Sequence, residues 1–195
     1  RRNAENTRQA VTLVTDVHAQ VNESQAALGD MISSMSAIKE FEHVWTRENA
    51  TTRRVLHAIP AAKSEFRPVE DIKNARELSF IFASSQLMMA AALDGSWKWP
   101  PEFPKAPATL AEVQAAYDKS TDVVKKALKG VKESRLNETV MFFVAPKTPG
   151  EVPVGGFCWM LLLDTIHHRG QLSTYLRLMG ADVPSIYGPS KSEPW

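Results

Sequence analysis

Asp164-Thr165-Ile166-His167-His168-Arg169-Gly170-Gln171-Leu172-Ser173-Thr174-Tyr175 follows directly on the apolar run Phe157-Cys158-Trp159-Met160-Leu161-Leu162-Leu163. The run is so apolar that a helix there would be buried on most sides. Asp164 and His168 are four apart, so on that helix they stack on one face, and Gln171 and Tyr175 prolong the stripe. A carboxylate and an imidazole entering a core need partners, because an unpaired buried polar group is costly. The pair is either half of a transition-metal site or a satisfied hydrogen-bonded pair in which Asp164 accepts from His168 or Arg169. His167 points about 100° away from His168 on an ideal helix, which makes it a poor further ligand. His57 sits near a helix end before Pro60, and His18 and His43 read as solvated. Arg169 and Gln171 either line a pocket or tie the helix to the tail at Tyr187, and the structural role is the one expected for Arg169. Gly170 predicts close helix packing, since glycine otherwise weakens a helix interior by about 1 kcal/mol.

Working outward, three more helices are legible. The first runs through Ile38, Phe41, Trp45, Thr52, Val55 and Leu56 and stops before Pro60. Asn74 and Glu77 form a capping box for a second, whose inner face is Leu78, Ile81, Phe82, Ser85, Met88, Met89 and Ala92, ending near Gly95. Thr109 and Glu112 form another box, opening a stripe through Leu110, Val113, Tyr117, Val124 and Leu128 to Gly130. Trp97–Pro107 reads as a proline-rich crossover whose Trp97, Trp99 and Phe103 lie over the bundle. Glu138–Ala145 is short and β-rich, either a strand or a buried connection. Residues 146–155 read as loop, with the last helix from about Gly156 to Met179, stopped by Gly180.

Residues 1–38 differ from the rest. Thr7, Ala10, Val14, Val17, Val21, Ser24, Leu28, Met31, Met35 and Ile38 recur in steps of three and four between polar residues, a narrow seam that suits a coiled coil. This predicts a helical extension over 1–38, a bundle over 39–195, and self-association as a homodimer.

Charge is nearly balanced, with 23 Lys+Arg against 22 Asp+Glu for a net +1, and basic residues are not striped with aromatics. No nucleic-acid partner is expected. No run approaches the roughly 18 apolar residues of a membrane span, so no membrane partner is expected either. Cys158 is the single cysteine, in an apolar run, which predicts an inert buried thiol and a cytoplasmic setting. Phosphate loops and nucleophile elbows are missing from the sequence.

The stretch His167–Arg177, followed by Val183-Pro184-Ser185-Ile186-Tyr187-Gly188-Pro189-Ser190, resembles the last helix and tail of the DinB/YfiT-like superfamily. The likeness extends more loosely from about Met35 through Val55–Pro60, Arg67-Pro68 and Ala75–Leu78. It implies an all-α four-helix bundle, here with a long N-terminally extended first helix. It also implies metal-dependent hydrolase or thiol S-transferase chemistry on a small-molecule or thiol substrate. The family metal is held by three histidines, one on the second helix and two spaced four apart on the last. His168 matches the third, Asp164 stands at the second and Ile81 at the first. By this resemblance Asp164 and His168 would hold one divalent metal (nickel, zinc, manganese or iron), or none, with Ile81, Gln171 and Tyr187 shaping the pocket. The alternative implied by the two departures is a non-catalytic binding or dimerisation module. Residues 1–38, through Arg1–Ala10 and Gly29–Ile38, resemble part of the cytoplasmic signalling helix of methyl-accepting chemotaxis proteins, without its hairpin tip.

Overall fold

The computed structural model describes residues 36–194 together with position 21. The heptad seam of residues 1–38, and the extended first helix it predicts, lie almost wholly outside the described residues. The chain divides into two compact units, Arg1–Glu40 and Phe41–Trp195. Four α-helices and one β-hairpin are described: α1 (Ala37–His57), α2 (Ala75–Asp94), α3 (Leu110–Gly130), β1 (Thr139–Ala145), β2 (Thr148–Pro153) and α4 (Val154–Leu178). The architecture is a four-helix bundle.

Each helix starts or stops where local chemistry demands. Asn74 accepts from the Glu77 amide at 2.8 Å while Glu77 accepts from the Asn74 amide at 3.0 Å, which satisfies two of the donors orphaned at the start of α2. Gly95 ends that helix at φ 84°, a left-handed conformation open to glycine at little steric cost. Thr109 and Glu112 repeat the box on α3. On α1 the buried positions Phe41, Trp45, Glu48, Thr52, Val55 and Leu56 follow helical spacing and form one face. The core joins Val55 and Leu56 to Leu78 and Phe82 of α2, Val113 and Tyr117 of α3, and Leu172 and Leu176 of α4.

Helices α2 and α4 run antiparallel. At one end Tyr175 donates to the Lys73 carbonyl at 3.1 Å, just ahead of α2. At the other, Trp97, just past α2, packs on Phe157 in the first turn of α4 with ring centroids 5.1 Å apart.

Two local expectations are corrected. Residues 148–153 form β2, paired antiparallel with β1 through Val140↔Val152 and Phe143↔Pro149 and bulged between Phe143 and Ala145. Pro149, Gly150 and Pro153 hide the strand from sequence reading; proline is tolerated because a two-stranded ribbon has only edge strands, where a missing N–H faces outward. The last helix therefore begins at Val154. The run ahead of Asp164 is buried on most sides, as expected, with Leu163 alone in it exposed, at 59%. A Cβ built on Gly170 would have no neighbour within 4 Å among the described residues, so close packing against them does not explain it. No helix among the described residues is long and apolar enough to cross a membrane.

Candidate functional site

A cavity of about 1010 Å³ opens between α2, α4, the crossover and β1. From α2 it takes Arg76, Glu77, Phe80, Ile81, Ser84, Ser85 and Met88, one face of the helix in steps of one, three and four. Met160, Leu161 and Asp164 of α4 face them, and Phe103 to Ala106 with Phe142 close the side. The size is at the upper end for small-molecule sites, and the wall is mainly apolar with a few polar groups, as such sites require. Trp97, Trp99, Phe142, Phe143 and Phe157 stiffen the aromatic side, and Trp97 Nε1 donates to the Met141 carbonyl at 3.0 Å.

Of the sequence-predicted site residues, Ile81 and Asp164 line this cavity. His168 stands behind Asp164, with Nε2 3.4 Å from the carboxylate; the side chains are 22% and 46% exposed. Beyond it Gln171 bridges the two histidines, at 2.9 Å to His168 Nδ1 and 3.0 Å to His167 Nε2. Gln171 is thus on an exposed stripe and outside the cavity wall. Which imidazole nitrogen carries the proton follows the orientation of the Gln171 amide. In either orientation Asp164, His168, Gln171 and His167 form one continuous chain of polar contacts.

The metal that the resemblance implies would be held by three donors, and the donor set among the described residues does not fit it. Ile81 has no lone pair, and among the described residues no group of three or more His, Cys, Asp or Glu side chains is arranged to hold a metal ion. His57 is exposed and belongs to the Arg53–Asp118 neighbourhood on another face, where burial and then the Arg53 charge lower its pKa. Cys158 is 1% exposed, and burial pushes its thiol up to about 12, so it is no thiolate at neutral pH.

Tyr187 is outside the cavity too. Its hydroxyl donates to Glu48 Oε2 at 2.6 Å and accepts from Arg169 Nη2 at 2.6 Å. Arg169 Nη2 also reaches Glu48 Oε2 at 2.7 Å, and Nη1 donates to the Glu48 carbonyl and the Thr52 hydroxyl, both at 3.1 Å. Burial works to raise the Glu48 carboxyl, but hydrogen bonds from Tyr187 and Arg169 and the charges of Arg169 and Arg47 hold it below the usual carboxylate range. Arg169 therefore ties α4 to α1 and the tail, the structural role expected for it. Sequence reading missed Glu48; its signal is spacing, because position 48 completes the buried stripe of α1 between Trp45 and Thr52. A second buried network crosses the core, with Gln86 and Tyr117 both donating to Asn49 Oδ1 at 2.6 Å.

The sequence model of the DinB family matches residues 31–195. An uncharacterised protein of Bacillus subtilis (strain 168), YrdA, is 29% identical over 157 residues, covering 80% of this chain and 91% of that protein. The crystal structure of a DinB-like protein from Bacillus cereus ATCC 10987 superposes with a TM-score of 0.64 at 21% identity, over 78% of this chain and all of that one. A mycothiol-dependent maleylpyruvate isomerase superposes at 0.58 with 14% identity, over 76% of this chain and 65% of its own. The chain belongs to the DinB family.

Proposed function

We propose that this chain is a small-molecule-binding member of the DinB family, whose cavity between α2 and α4 takes an organic ligand and works without a resident transition metal. The observation that carries this is a large, open, mainly apolar cavity with Ile81 in its wall, at the position where the family resemblance implies the first metal ligand. Where a histidine would offer a lone pair, Ile81 offers apolar surface, which favours ligand carbon over a cation.

A second reading keeps the family chemistry, hydrolysis or thiol S-transfer on a divalent metal. It is favoured by Asp164, which stands at the cavity wall with His168 3.4 Å behind it. It requires a third ligand from outside the described residues. A thiol or other small-molecule substrate would be the class to supply it.

Nile red, a neutral apolar fluorophore, tests the leading reading. Saturable one-to-one binding that disappears in Ile81→Trp, with the variant's helicity retained, is the expected result. Equal binding by the two proteins, or none by either, overturns it.

A further inference from the structure

Some polar groups in the cavity are already engaged by the protein and some are not. Arg76 donates to Glu65 at 2.6 Å and to the Pro107 carbonyl, and Glu77 caps the Asn74 amide. The ammonium groups of Lys73 and Lys105, at the same end, have no ion-pair partner among the described residues. The Arg76–Pro107 bond holds the crossover, and Lys105 with it, against the first turn of α2.

Deeper in, the Ser85 hydroxyl is a buried side-chain oxygen with no hydrogen-bond partner among the described residues, on a residue 1% exposed that lines the cavity. Such an orphan is rare and costly in a folded protein. Asp164 is held, among the described residues, only by His168, and the Ser84 hydroxyl lines the cavity next to Ser85. Helix geometry puts Asp164 and Ser85 at one depth. Tyr175 bonds the Lys73 carbonyl and fixes a common level. Asp164 lies eleven residues before Tyr175, about 16 Å along α4, and Ser85 ten residues beyond Ala75, about 15 Å along α2 from its first turn beside Lys73. Between the levels the wall is mainly apolar, Phe80, Ile81 and Phe103, with the Ser84 hydroxyl beside Ser85; further along are Met88, Phe142 and Met160.

Resting on the reading of the cavity as a ligand site, we infer that it takes an elongated amphiphilic anion. Its carboxylate lies between Lys73 and Lys105. Its apolar body carries, about three helical turns further in, an amide-like group that donates to Asp164 and accepts from Ser85. Asp164 also sets the direction, because an ionised carboxylate would repel the anionic head from the deep end.

The probe is 11-(dansylamino)undecanoate, which has a carboxylate, a long methylene spacer and then a sulfonamide N–H with S=O acceptors. The comparator is 12-(1-pyrenyl)dodecanoate, which lacks the internal polar group. We expect the dansyl probe to bind the wild type and to lose about threefold to tenfold in Ser85→Ala and again in Asp164→Leu, the size of one hydrogen bond. The pyrenyl probe should change less than about twofold in Ser85→Ala. Lys73→Glu with Lys105→Glu should weaken both probes about tenfold or more and leave neutral Nile red unaffected.

If Ser85→Ala and Asp164→Leu change the two probes equally, the internal polar group is wrong. If the double lysine variant binds both carboxylates as the wild type does, the anionic head is wrong. In both cases retained Nile red binding would leave the ligand-site reading standing. Failure of Nile red as well would remove that reading and this inference together.

Discussion

Arg169 on α4 and Glu48 on α1 meet at 2.7 Å with side chains 1% and 3% exposed, and the hydroxyl of Tyr187 from the tail closes the triangle on both. Four donor bonds leave the two Nη atoms, so the guanidinium has exchanged water for protein oxygens. Removing one partner strands the other charge in a place water does not reach. Arg169→Ala is expected to cost about 3–5 kcal/mol in urea unfolding. Arg169→Met combined with Glu48→Leu should recover most of that loss, because a well-packed apolar pair often matches a buried ion pair. A double variant as weak as the single one would show that packing, not stranded charge, is at stake.

Acid should find the same cluster. The Glu48 carboxyl titrates below its ordinary value of 4.5 in the folded state. Its stabilising contribution is therefore fully present above about pH 4.5 and is lost as pH falls through the depressed folded value. Glu65, Asp118 and Glu193 are lowered too, each first by a hydrogen bond from an arginine, so the informative quantity is a difference. The stability gap between wild type and Glu48→Gln should be constant from neutral pH to about 4.5 and narrow below it. A gap unchanged down to acid unfolding would mean that Glu48 is not depressed.

Ser85→Ala carries an unusual stability prediction. Deleting a buried hydroxyl normally costs a hydrogen bond, but this one has none to lose among the described residues. The apo variant should match or exceed wild type, by up to about 1 kcal/mol. A melting temperature lowered by several degrees would show that the hydroxyl has a partner in solution.

Cys158 should behave as a small core hydrophobe. With its thiol pushed up to about 12, reaction with dithiobis(nitrobenzoate) should be slow in native protein and complete within minutes in urea. Fast native labelling would place the first turns of α4 in exchange with an open state.

Deleting residues 1–34 tests the heptad seam read from sequence. The shortened chain should keep the helicity of the bundle and should lose the homodimer we propose for the full chain, as measured by light scattering. Loss of helicity would make the segment part of the fold rather than an appendage.

Much of the scaffold was legible because its signals are local. Asn74 with Glu77 and Thr109 with Glu112 are boxes that work through backbone geometry alone, and Gly95 and Gly180 stop their helices with positive φ. Ile81, expected in the pocket, and Asp164, expected as a ligand, both line the cavity, because each lies on the inward face that helical spacing predicts. Gln171 and Tyr187 do not, since their positions depend on what α4 packs against. The Arg169 guanidinium draws Tyr187 away to Glu48, and Gln171 turns outward to the histidines. Glu48 escaped because a carboxylate in an apolar stripe reads as an interruption until its arginine, 121 residues away, is known. β2 escaped because two prolines and a glycine outweigh one valine in a count of its own residues, while what stabilises it is the pairing with β1 across the turn.

Elemental analysis of chain purified without chelators or a polyhistidine tag, beside Asp164→Ala, tests most directly whether this cavity works without a resident metal. The account predicts far less than one equivalent of nickel, zinc, manganese or iron in both proteins, before and after incubation with excess divalent ions. Near-stoichiometric metal in wild type that falls in the variant would contradict it, make Asp164 a ligand, and restore the hydrolase or transferase reading.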